Sequence, residues 1–189
     1  MALGMRPVLL LTLGLGLIST RKTLEEVPVQ QGFDAQRVQG RWLTLQLAST
    51  SSSLVSPDDP LRLALHSIRM TASGALQLIL FWMGEGVCQD LNITVHPTGL
   101  YGQYQGFFEA GGSVLVQVVG TNYHSLILYV QVEQDAETNS LWALLGRTEK
   151  VEPQWLGEYL DYVRTFHLKK APVFNLDGGC PPLEAQASA

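Results

Sequence analysis

The chain has 189 residues and a formal net charge of −5, enough for one domain with a substantial core. Its acidic balance offers no electrostatic footprint for nucleic acid or for an anionic membrane surface. Two cysteines, Cys88 and Cys180, are present; a secretory compartment favours pairing them and leaves no spare thiol.

Pro7 to Ile18 is an uncharged apolar run, broken only by Thr12, behind Arg6. It is too short for a helix across a bilayer of ~30 Å but matches the ~7–15-residue core of a secretory leader. Residues 1–20 are therefore read as a signal peptide, and the mature protein as secreted, extracellular and without membrane insertion. Residues 21–32 read as a flexible N-terminal segment. Asn92-Ile93-Thr94 is a glycosylation sequon, credible on a secretory route.

From Trp42 onward, runs of ~5–10 residues alternate with turn residues at short spacing, the pattern of an all-β sandwich or barrel. The first predicted strand is Trp42 to Ala48. Ser49 to Pro60 is too rich in Ser and Pro for regular structure, and a connection of that length is expected to be a lid or a plain surface loop. Strands follow at Leu61 to Thr71, Ala75 to Met83, Val87 to His96, Tyr101 to Phe108, Ser113 to Val119, Tyr123 to Glu133 and Leu141 to Arg147. The period then changes. After Pro153, apolar Trp155, Tyr159, Tyr162, Val163 and Phe166 fall on one helix face. A short strand at Ala171 to Asn175 precedes Cys180, and 183–189 reads as a disordered tail.

The strand faces argue for closure. Leu61, Leu63 and Leu65 alternate with Arg62, Ala64 and His66, as a sheet with one wet face should. Later strands are apolar on both faces: Leu76, Leu78, Leu80 and Trp82 interleave with Ile79, Phe81 and Met83. Leu126, Leu128, Val130 and Val132 alternate with Tyr123, Ser125, Ile127, Tyr129 and Gln131. One helix can cover only one outer patch, here assigned to Leu126, Leu128, Trp142 and Leu144. The other faces then look inward. Eight antiparallel up-and-down strands close into a barrel just wide enough to be filled by side chains or to hold one small ligand. Aliphatic, aromatic and hydroxyl groups with small Ala and Ser positions favour the cavity over the filled barrel.

Three short motifs, with their order and spacing, carry a family likeness. Gly40-x-Trp42 opens the first strand, Gly120-Thr121-Asn122-Tyr123 joins two later strands, and Arg147 ends the last strand before the helix. Together with the helix and the two cysteines, they make the mature chain resemble the lipocalins, with the epididymal-specific members similar. The resemblance implies an eight-stranded calyx with one C-terminal helix over 33–182. It implies structural roles for Gly40, Trp42, Thr121, Asn122, Tyr123 and Arg147, with Arg147 packed across Trp42 at the narrow end, and a Cys88–Cys180 bridge. Asn122 stands where the family usually has Asp, which makes any charge-assisted bond there neutral and weaker.

The expected ligand-binding lining is Leu61, Leu63, Leu65, Ile68, Leu76, Leu78, Leu80, Trp82, Ile93, Phe108, Val116, Val118, Ile127, Tyr129, Ala143 and Leu145. A bulge near His66-Ser67 is needed to keep both Leu65 and Ile68 inside. Chemistry is scarce. Some lipocalins act on prostaglandin H through a thiol inside the barrel, but the first three predicted strands contain no Cys. The four histidines show no ligand spacing, and Glu152, Glu158 and Asp161 read as a solvated helix face. No catalytic residue, cofactor or metal is expected, so the chain does not read as an enzyme. Between Arg69 and Arg147 there is no Lys or Arg, and burying an unpaired carboxylate is costly. The expected function is therefore extracellular binding and transport of a small hydrophobic, neutral ligand. The alternative is a secreted glycoprotein interaction or signalling module with a vestigial cavity, whose partner is a cell-surface receptor.

Overall fold

The first strand is shared between the two ends of the sheet, and that sharing closes the barrel. The computed structural model describes residues 27–51, 65–84, 87–108 and 111–170, with side chains at 81–89 and 169–170 outside that description. Along the described residues run β1 (Gly40–Arg41), β2 (Leu43–Ser49), β3 (Leu65–Met70), β4 (Leu76–Gly84), β5 (Val87–Pro97) and β6 (Gln103–Phe107). They continue with β7 (Ser113–Thr121), β8 (Ser125–Gln134), β9 (Glu137–Gly146), α1 (Pro153–Thr165) and β10 (Lys169–Lys170).

β3 to β9 pair antiparallel, each with the next in sequence. β1 and β2 are one stave interrupted at Trp42: Gly40 pairs with Ile68 of β3, while Leu43 pairs with Gly146 of β9. The Trp42 amide donates to the His66 carbonyl at 2.9 Å, and the Leu65 amide donates to Thr44 Oγ1 at 3.1 Å. Counting β1 and β2 as one stave gives the eight expected, and β10 against Ala48 and Ser49 adds a ninth. The strand expected at 171–175 lies outside the described residues. The register slips between Leu65 and Ser67, so a bulge does sit at His66, and both Leu65 and Ile68 are buried.

Two apolar clusters divide the molecule. The inner one faces the barrel interior and includes Phe33, Val38, Trp42, Leu47, Leu65, Ile68, Leu76, Leu78, Leu80, Val95, Tyr104, Val114, Val116 and Val118. From the last two long staves it takes Leu126, Leu128, Val130, Val132, Leu141, Ala143 and Leu145. The outer cluster joins α1 to the sheet through Val27, Ala48, Val119, Ile127, Tyr129, Trp142, Leu144, Tyr159, Val163 and Leu168.

This corrects the expected orientation of β8. Ile127 and Tyr129 lie beneath the helix, and Leu126 and Leu128 face inward. Both faces of β8 carry large buried apolar residues, but the polar Ser125, Gln131 and Glu133 share the parity of Ile127 and Tyr129, which marks that face as the outer one; a one-residue error reverses the whole strand. Trp142 and Leu144 do meet the helix as expected.

α1 begins where Pro153 occupies a first-turn position whose missing amide costs nothing. It buries Tyr159 and Val163, and Tyr162 stacks on Trp142 with ring centroids 4.7 Å apart. Gly120 admits this close approach, since a Cβ there would lie 3.0 Å from the Trp155 ring. No described helix is long and apolar enough to cross a membrane.

The N-terminal lead-in is more ordered than the sequence suggested. Gln30 N–H donates to Val118 O at 3.0 Å, and Gln117 Nε2 donates to Val27 O at 2.9 Å. Residues 27–31 therefore form a strap along β7, and the flexible reading of 21–32 does not extend to them.

Candidate functional site

One end of the barrel is built around Trp42. Its indole N–H donates to Val38 O at 2.7 Å, which satisfies the one polar atom of a side chain only 1% exposed. Arg147 lies over the indole at 3.8 Å from the ring centroid. Its guanidinium donates to Arg41 O at 2.6 Å, Gln39 O at 2.9 Å, Arg37 O at 3.0 Å and Tyr123 O at 3.3 Å. Gly40 has φ +99°, a backbone conformation that favours glycine. Gly40, Trp42 and Arg147 thus form a plug.

The turn between β7 and β8 completes that end. Thr121 Oγ1 donates to Ser125 O at 2.7 Å and accepts from Tyr123 N–H at 2.8 Å. Tyr123 is left-handed at φ +69°, its hydroxyl accepts from Asp34 N–H at 3.0 Å, and the Arg37 guanidinium lies 3.7 Å from its ring centroid. Asn122 Oδ1 accepts from the amides of His124 and Ser125, while Nδ2 donates to both oxygens of Glu152 at 3.2 Å. Ser125 Oγ also donates to Glu152, at 2.8 Å. The Ser125 hydroxyl and the Asn122 amide hold the Glu152 carboxyl below its ordinary range. Glu152 is therefore a tether rather than part of an idle solvated face, and a charge-assisted bond persists at Asn122 with the amide as donor. Outside the barrel, His124, Arg147, Lys150 and Glu152 border a groove of about 420 Å³ beside this turn.

The interior is the candidate binding compartment. Leu65, Ile68, Leu76, Leu78, Leu80, Val116, Val118, Ala143 and Leu145 lie together in the inner cluster, and Ile93 and Phe108 pack against it half-buried. Ile127 and Tyr129 do not join them. Leu61, Leu63 and the side chain of Trp82 lie outside the described residues, as does most of the 49–60 loop. Among the described residues no Asp, Glu, Lys or Arg is buried. The sequence reading missed Phe33, Leu47, Tyr104, Val114, Val130 and Leu141, among others. Tyr104 carried a signal, because it shares its parity with Phe108 on the same strand.

The comparisons agree with this geometry. The model of the Lipocalin / cytosolic fatty-acid binding protein family matches residues 39–177. Lipocalin-15 of Homo sapiens is 28% identical over 146 residues, covering 77% of this chain and 78% of its own. Epididymal-specific lipocalin-9 of Mus musculus is 27% identical, covering 75% and 79%. Uterocalin of Equus caballus is 24% identical, covering 88% and 93%. Among solved structures, a bovine odorant binding protein (a deswapped triple mutant) superposes with TM-score 0.65 at 16% identity, over 77% of this chain and 99% of that one. The chain belongs to the lipocalin / cytosolic fatty-acid binding protein family, whose members bind small hydrophobic ligands in a barrel.

Proposed function

We propose that this protein is a secreted carrier that takes up one small, uncharged lipophile inside its barrel and catalyses no reaction. The observation that carries this reading is the inner cluster: a wall of aliphatic and aromatic groups among which no described charged side chain is buried. Apolar burial rewards a lipophile by roughly 25 cal/mol per Å². A carboxylate drawn into the same space would lose its hydration with no cation to replace it. Arg147, which lies over Trp42, is committed to that ring and to four backbone carbonyls.

On this reading the inward residues Leu65, Ile68, Leu76, Leu78, Leu80, Val116, Val118, Ala143 and Leu145 contact the ligand. Residues 1–20 are removed on export, Cys88 is bridged to Cys180, and a glycan occupies Asn92, which is exposed on β5. The relatives named salivary lipocalin and uterocalin support an extracellular setting.

The test is competition at pH 7 between retinol and retinoate for a neutral fluorescent probe, N-phenyl-1-naphthylamine. Retinol is expected to displace the probe at lower concentration. Tighter binding of retinoate would overturn the proposed selectivity, and a failure of the probe itself to bind would overturn the carrier reading.

A further inference from the structure

Four buried polar side chains can be placed on the inward face by register, because directly opposed residues of antiparallel strands share a face. Thr44 lies opposite Leu145, Ser49 opposite Leu141, Thr121 opposite Leu126 and Tyr104 opposite Val116. The first three are committed to the protein. Thr44 Oγ1 accepts from Leu65 N–H, Ser49 Oγ donates to Ser140 O at 2.8 Å, and Thr121 Oγ1 donates to Ser125 O. Tyr104 differs. It is 6% exposed, its ring meets Phe33 edge-on at 6.5 Å between centroids, and none of the described residues gives its hydroxyl a hydrogen bond.

The backbone aims this phenol. Tyr104 is the second residue of β6, next to the turn at 98–102 and at the same end of the barrel as Trp42. Its strand neighbour Gln103 points the other way, where its amide accepts from Thr98 Oγ1 and donates to Gln117. That outward chain of amides fixes the pleat of β6 and leaves Tyr104 facing in.

The hydroxyl is not among the buried polar atoms left without a partner, so it keeps some accessible surface. A ligand that shields it must offer an acceptor or leave it unpaired, which is unfavourable. The other members of the inner cluster are apolar side chains. We infer that Tyr104 is the specificity-determining contact of the barrel, donating its hydroxyl hydrogen to the single oxygen of a neutral lipophile such as a ketone or aldehyde. The inference rests on the carrier reading and narrows its ligand class from hydrophobic to hydrophobic with one acceptor. Burial pushes the Tyr104 phenol above its ordinary value, so it keeps its proton, and remains a donor, throughout the physiological range. A carbonyl oxygen satisfies that donor, whereas a hydrocarbon of the same shape leaves it unpaired.

The experiment compares menthone with its hydrocarbon skeleton, p-menthane, on the full secreted chain and on Tyr104→Phe, by displacement of N-phenyl-1-naphthylamine. The unmodified protein is expected to favour menthone, and Tyr104→Phe to weaken menthone roughly threefold to tenfold while p-menthane is unchanged, from the net value of one hydrogen bond. The ring is retained, so the variant is expected to melt at or above the parent temperature; a lower melting temperature would mean the hydroxyl serves the fold and would overturn the assignment. A second readout needs no variant. In protein labelled at the tyrosine ring carbon bearing oxygen, the Tyr104 resonance should shift with menthone and stay in place with p-menthane. Equal affinity for the two ligands in both proteins would overturn the role of Tyr104 and leave the carrier reading standing. Binding of neither ligand nor probe would overturn both.

Discussion

Arg147 gives almost all of its donors to backbone carbonyls, and this decides what can replace it. Lysine would keep the charge but could not lie flat on Trp42 while reaching Arg37, Gln39, Arg41 and Tyr123 together. Arg147→Lys is expected to lower stability by about 1–3 kcal/mol, from lost stacking and unpaired carbonyls, measurable by urea unfolding. Ligand affinity should change little, because the guanidinium is committed to Trp42 and to backbone carbonyls. At this scale the sequence was informative where a motif named the residue: Gly40, Trp42 and Arg147 stand where the resemblance put them. The sequence reading put Glu152 on a solvated helix face and missed its partners Asn122 and Ser125, which lie 30 and 27 residues away; no local pattern announces such a contact.

At the scale of strands and helix, legibility followed asymmetry. α1 has one apolar face, so its period identified Tyr159 and Val163 as buried, and both are. β3 has the bulge that Leu65 and Ile68 required. β8 is buried along both faces from Ser125 to Val130; its only orienting signal is that Ser125, Gln131 and Glu133 share the parity of Ile127 and Tyr129, and the sequence reading passed over it. The two faces are separable by experiment. Ile127→Ala removes packing between sheet and helix and is expected to cost about 2–4 kcal/mol in unfolding free energy, with ligand affinity unchanged in the folded protein. Weaker binding in proportion to the lost stability would return Ile127 to the interior.

Over the whole molecule, one exposed carboxylate links barrel and helix. The folded carboxyl of Glu152 titrates below its ordinary range, first through the Ser125 hydroxyl and then through the Asn122 amide. A depressed folded value means that the tether's stabilisation is complete above the unfolded carboxylate value, near pH 4.5, and is lost as pH falls through the folded one. Urea midpoints are expected to decline below about pH 4.5, and less so in Glu152→Gln. Asn122→Asp should raise the Glu152 value in a carbon-detected titration, because the donor becomes a second carboxylate. The strap at 27–31 bears on a different property, the order of events during synthesis. Gln117 reaches back 90 residues to the Val27 carbonyl, and Arg147 reaches back 110 to Arg37. The earliest docked residues therefore wait for some of the last, and a topology dominated by such distant pairings folds slowly. The first stave finds β3 early but must wait for β9 on its other side, so barrel closure cannot precede the emergence of residues 137–146 from the ribosome.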